Sequence, residues 1–114
     1  MMRRRVCFAL DLIDDAALIA EYEARHAPGA VWPAILADIR ASGFADMEIW
    51  RGGDRLVMVA EVGEDFPRPR DAGTQALVDR WEAAMWRYQK PLPQAAAGEK
   101  WLAMTRIFAL DEHR

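Results

Sequence analysis

FADMEIWRGGDRLVMVAEV, residues 44–62, is the stretch from which the fold can be read. From Phe44 to Trp50 the apolar Met47 and Ile49 alternate with the acidic Asp46 and Glu48, the period of two that lays one side of a strand on a core. Arg51-Gly52-Gly53-Asp54 then supplies glycines able to take the positive φ of a tight turn, and Arg55 to Val62 returns as a second, more apolar strand. Two such runs joined by so short a turn form an antiparallel hairpin.

Upstream, Gly43 is placed to stop a helix that starts near Trp32-Pro33 and turns Ile35, Leu36 and Ile39 inward. An earlier helix begins at the candidate N-caps Asp14 or Asp15, carries Leu18, Ile19, Tyr22, Arg25 and His26 at helical spacing, and ends at Pro28-Gly29. Before it, Val6, Phe8, Leu10 and Leu12 alternate with Cys7, Ala9 and Asp11, a strand expected from Arg4 to Leu12. Downstream of the hairpin comes a charged, proline-interrupted loop, residues 64–70, read as a connection within one domain. A helix is then expected from Asp71 to Gln89, with Leu77, Trp81, Ala84, Met85 and Tyr88 on its packed stripe and Trp86 off it. After Pro91, Pro93 and Gly98, the alternation from Trp101 to Leu110 predicts a final strand.

The order is strand, helix pair, strand, strand, helix, strand. It predicts a single α+β domain over residues 1–114, a ferredoxin-like sandwich whose four-stranded antiparallel sheet carries its helices on one face. The other face is also apolar, and a second copy packed sheet to sheet is the expected cover, giving a homodimer.

Composition narrows the function. With 114 residues, 53% hydrophobic and 29% charged, the chain has the make-up of one soluble globular domain. A net charge of −3 argues against a nucleic-acid partner, since phosphate binding needs a basic field, and Arg3-Arg4-Arg5 reads as a solvated start. The apolar run after those arginines is too short for a secretory core or a membrane span, so a cytoplasmic protein without a membrane partner is expected. Cys7 is the single cysteine and reads as a buried thiol. The two histidines, His26 and His113, belong to no metal-binding pattern, so no metal is expected; His113, next to the C-terminus, is assigned nothing.

Tyr22 and His26 stand four residues apart, so a phenol and an imidazole project from one side of a helix toward a shared small ligand. Taken alone, His26 also reads as a capping histidine and Tyr22 as core. Trp81 suits either core filling or the C–H face of a sugar, while Trp86, off the stripe, is a candidate for a ligand or an interface. Glu82 is a solvated helix charge or, if it enters a pocket, an acceptor for hydroxyls or a second acid/base group. Met47 is core packing or an apolar, adaptable wall.

Several short stretches then agree in register: Phe8-x-Leu10-Asp11-Leu12, Glu21-Tyr22-x-x-x-His26, Trp32-Pro33, Gly43 before Met47-Glu48-Ile49-Trp50, Arg80-Trp81 with Met85 and Tyr88, and Ile107-Phe108-x-Leu110. In this order the chain resembles the L-rhamnose mutarotase family, which includes members assigned to L-fucose. The resemblance implies a dimeric ferredoxin-like α/β barrel that interconverts the anomers of a 6-deoxy-L-sugar without a cofactor. It implies His26 as proton donor and Tyr22 and Trp81 as sugar contacts. Two positions depart from the pattern: Met47 stands where rhamnose enzymes have a tyrosine, and Glu82 where they have a second consecutive tryptophan. These departures leave the reaction type standing and bear on which sugar is used. Met47 and Glu82 at these departures, and Trp86 by its place off the packed stripe, join the expected substrate-binding set. The same architecture also hosts monooxygenase-like chemistry, and a non-catalytic sugar-binding dimer is a further reading.

Overall fold

The computed structural model describes residues 3–113. Strand β1 (Arg3–Leu12) leads into helix α1 (Ala16–Arg25), where the Asp15 side chain accepts the Leu18 N–H at 3.0 Å and caps the first turn. Helix α2 (Pro33–Ala41) opens on a proline, whose missing N–H costs nothing at that position. It is closed by Ser42, with Gly43 beyond at φ +114. A Cβ on Gly43 would lie 3.1 Å from Phe66 Cβ and 3.2 Å from Phe66 Cα, so glycine is required there by contact as well as by backbone angle.

Strands β2 (Phe44–Gly52) and β3 (Arg55–Gly63) form the expected hairpin, pairing Gly52 with Arg55 around a turn in which Gly53 has φ +62. Its register sets Met47 opposite Ala60, Ile49 opposite Met58 and Arg51 opposite Leu56. Helix α3 (Ala72–Trp86) follows, capped by the Asp71 carboxylate on Thr74 N–H at 2.7 Å. It ends at Trp86, short of the expected Gln89, because Gln89–Lys90 leaves the helix to form strand β4 against Leu12 and Asp11.

The sheet order is β2-β3-β1-β4, all antiparallel, and a two-residue strand β5 (Leu102–Ala103) also pairs with β1, at Ala9 and Phe8. Here the structure corrects the sequence reading. The fourth position is filled in two pieces along one edge of β1, and the strand expected from Trp101 to Leu110 is only two residues long. Met104 N–H still bonds the Cys7 carbonyl at 2.9 Å, but then the chain departs, ending in a short 3₁₀ turn (Leu110–Glu112). Alternation marks a segment as fit for a strand; it does not supply an edge to pair with.

On the face of Leu12 and Leu56 all three helices meet. Tyr22 of α1, Ile35 of α2, and Trp81 and Met85 of α3 close the core with those two leucines and Tyr88. On the opposite face Cys7, Val57 and Val59 are half-buried and Trp50 is 64% exposed. Among the described residues no helix is long and apolar enough to cross a membrane.

Candidate active site

Between the core face of the β2–β3 hairpin and the three helices lies a cavity of about 610 Å³, a size suited to a small ligand. The hairpin supplies its floor through Met47, Ile49 and Arg51, which point to one face because their spacing is two. Helix α1 brings Tyr22 and His26; α3 brings Trp81, Glu82 and Met85. Five of the six residues singled out from sequence (His26, Tyr22, Trp81, Met47 and Glu82) therefore line one space.

Trp86 does not line it. Five residues beyond Trp81 is roughly 140° around a helix, and the Trp86 ring stands 50% exposed on another flank, with Lys100 Nζ 5.0 Å above it. It borders a second concavity of about 550 Å³, under the 91–100 loop, that shares only Glu82 with the first.

His26 is the C-cap of α1, and its Nδ1 lies 2.8 Å from the Tyr22 carbonyl oxygen one turn back. A carbonyl only accepts, so Nδ1 carries the proton and donates. That bond fixes the ring and leaves Nε2 as the nitrogen free to exchange a proton. The aromatic neighbours hold the plane: between ring centroids Tyr22 lies at 4.3 Å and Trp81, in a T-shaped contact, at 5.8 Å, with Trp81 itself braced by Trp32 at 5.1 Å.

Tyr22 is 4% exposed, and its hydroxyl accepts the Gln89 Nε2–H at 3.3 Å. Burial, partly offset by that hydrogen bond, pushes the phenol up to about 12. At neutral pH Tyr22 is thus a neutral hydrogen-bond donor and never a phenolate. Behind it, the buried Tyr88 hydroxyl accepts Arg25 Nε–H at 2.8 Å and donates to Glu21 at 2.9 Å, tying α1 to the end of α3.

Charges at the cavity come in pairs. Arg51 meets Glu23 at 3.3 Å, Arg70 meets the buried Asp38 at 2.7 Å, and Lys100 is bonded to the Glu82 carboxylate. Sequence reading missed four of these charged residues (Arg51, Glu23, Asp38 and Arg70) and Gln89. Arg51 was within reach, since it continues the Met47–Ile49 alternation, and Asp38 sits on the inward side of α2 beside Ile35 and Ile39. Arg70 comes from an irregular loop and Gln89 from a two-residue strand, and neither carries a periodic signal.

A histidine with one nitrogen held by the backbone, set in an aromatic cavity whose charges are paired, is an arrangement suited to proton transfer on a neutral polar ligand. Comparison with known proteins gives the family. A sequence model described as L-rhamnose mutarotase matches residues 5–110. The chain is 53% identical to an L-fucose mutarotase of Xanthomonas campestris pv. campestris, over 98% of this chain and 92% of that one. It is 34% identical to an L-rhamnose mutarotase of Verminephrobacter eiseniae, over 75% and 77% of the two chains. The crystal structure of an L-rhamnose mutarotase from Formosa agariphila shares the fold with a TM-score of 0.68 at 17% identity, covering 93% of this chain and 97% of that one. The chain belongs to the L-rhamnose mutarotase family.

Proposed function

We propose that this protein is a cofactor-free mutarotase that interconverts the α and β anomers of a 6-deoxy-L-hexose, with His26 as its principal acid/base. The observation that carries the reading is the His26 ring in the wall of a cavity whose charges are paired, its Nδ1 held by the Tyr22 carbonyl so that Nε2 is left for proton exchange, beside a phenol that stays protonated. Paired charges suit a neutral polyol and disfavour an anion. Of the two sugars, the 53% identity to a protein named L-fucose mutarotase favours L-fucose over L-rhamnose.

Mutarotation needs one proton delivered to the ring oxygen as the C1–O bond breaks and one removed from the anomeric hydroxyl. The aldehyde then turns about C1–C2 and closes by the reverse transfers. Protonated His26 gives the first proton from Nε2 and regains it on closure; an imidazole suits both directions near neutral pH. Glu82 on α3 is the group proposed to take the second proton. Tyr22 donates a hydrogen bond, Trp81 offers a ring to the C–H face of the sugar, and Met47 receives the C6 methyl.

We also read the working unit as a cytoplasmic homodimer closed over the outer sheet face. Support comes from the half-buried Val57 and Val59 there, and from Ile107 and Leu110, which are 94% and 74% exposed on the departing C-terminal segment. Light scattering reads this directly, and a monomer at micromolar concentration refutes it.

Saturation-transfer NMR between the anomeric protons of L-fucose, and separately L-rhamnose, tests the activity. Accelerated exchange that falls by roughly 10²–10⁴ in His26→Ala is expected. Binding without accelerated exchange would make this a sugar-binding protein instead. Unchanged exchange in Glu82→Gln would remove Glu82 from the proton path.

A further inference from the structure

We propose that Gln89 is a substrate-contacting, specificity-determining residue: its carboxamide holds the Tyr22 hydroxyl with one end and receives a hydroxyl of the bound sugar with the other. This rests on the mutarotase reading and extends it to a residue outside the set expected from sequence.

Gln89 lines the cavity and is 8% exposed. Its Nε2–H donates to Tyr22 Oη at 3.3 Å, while its Oε1 is sealed from water and has no hydrogen-bond partner among the described residues. An orphaned buried amide oxygen is costly and uncommon in native proteins, and a ligand hydroxyl is a partner that would satisfy it. The backbone cannot shift to find one, because Gln89 is paired with Leu12 on the sheet edge and follows Tyr88, whose ring is fully buried and whose hydroxyl is doubly bonded. The terminal torsion of the side chain is soft, so a small turn, within the reach of the long 3.3 Å bond to Tyr22, opens Oε1 to a ligand in the adjoining cavity.

The Tyr22–Gln89 pair then presents a matched set. Tyr22 Oη already accepts a hydrogen bond from the Gln89 Nε2–H, so its own O–H is free to donate, and Gln89 Oε1 is free to accept. With the amide turned over, the two roles exchange and one donor and one acceptor still remain. A donor beside an acceptor fits two neighbouring hydroxyls of a neutral sugar, one accepting and one donating. Sugars that differ in the direction of one hydroxyl would be told apart here, because a misdirected hydroxyl leaves the amide unpaired.

The test compares wild type with Gln89→Met and Gln89→Leu, which keep the bulk and remove the amide. Anomer exchange is measured against concentration of L-fucose and of L-rhamnose, with calorimetric sugar affinity and thermal melting alongside. In the variant that keeps the wild-type near-UV circular dichroism, KM for the preferred sugar is expected to rise roughly ten-fold. The preference between the two sugars should narrow, and the sugar-free melting temperature should stay or rise as the orphan oxygen disappears. A KM within two-fold of wild type overturns the inference, as does a melting temperature lowered in both variants with sugar affinity intact, the mark of a merely structural residue. If wild type binds sugar without accelerating exchange, the mutarotase reading falls and the affinities alone decide Gln89. If wild type binds neither sugar, both fall.

Discussion

Replacing Tyr22 by Phe should change the alkaline stability of the protein by an amount fixed by the burial of one hydroxyl. The phenol is raised in the folded protein from its ordinary value near 10.0 to about 12. At pH 11 the unfolded phenol is therefore ionised about ten to one, while the folded one is protonated about ten to one. Unfolding of the wild type gains RT ln 10, about 1.4 kcal/mol, that the phenylalanine variant lacks. The sign follows from proton count: the folded state holds the proton longer, so the stability is intact below pH 10 and drains away as pH climbs toward 12. The stability difference between wild type and Tyr22→Phe should thus shift against the wild type by about 1.4 kcal/mol between pH 8.5 and pH 11, or about 0.7 M in urea midpoint at a slope near 2 kcal/mol per molar. Taking the difference cancels the lysines and every other group that titrates in this range. A difference that stays the same at both pH values would mean that the folded phenol titrates as in water. The account of Tyr22 as a desolvated, permanently neutral donor would then be wrong.

Two further tests address the frame that positions the cavity. Gly43→Ala combines an unfavourable φ with a 3.1 Å approach to Phe66 Cβ, and should lose about 2–5 kcal/mol in urea unfolding. Gly53→Ala meets nothing within 4 Å and should lose only about 1–2 kcal/mol; equal losses would remove Phe66 from the explanation. The Asp71 carboxylate is held below its ordinary value by the Thr74 N–H that it caps. Its contribution is therefore present above pH 4 or so and lost as pH falls through the lowered value. Asp71→Ala should melt below the wild type at pH 7, with the gap closing toward pH 3; a gap that persists in acid would assign the loss to something other than the cap.

The parts of the fold legible in the sequence were those governed by neighbours along the chain. The hairpin at residues 44–62, the Asp15 cap, the proline start and glycine stop of α2, and the Trp81–Met85–Tyr88 stripe all depend on spacings of two, three or four residues, which a sequence displays directly. The final strand failed because its pairing depends on an edge more than ninety residues away. Of the expected strand only Leu102–Ala103 meets β1, while the adjoining stretch of that edge is taken by Gln89–Lys90, whose Gln89 the sequence reads as the last residue of a helix. Within the cavity the same division holds. Tyr22 and His26 share a helix and could be matched by spacing, and Met47 could be placed by alternation. Arg70 reaches the cavity from an irregular loop and Gln89 from a two-residue strand, and their contacts with Asp38 and Tyr22 exist only once the sheet is closed. Trp86 shows the limit of a residue type taken as a clue: an indole off the packed stripe was marked for a role, and the turn of the helix carried it to a different flank.

Because β4 and β5 lie end to end along β1, the chain between them behaves as a detour spliced into a single strand. Both ends of residues 91–101 are anchored to the same edge, at Asp11 and at Ala9, so the register of the sheet does not depend on how long the detour is. Doubling a loop costs only about 0.6 kcal/mol in closure entropy. Yet this segment delivers Trp101 to the cavity wall and Lys100 to Glu82. Insertion or deletion between the buried Leu92 and the core-packed Trp101 can therefore reshape one side of the binding chamber without moving either anchor.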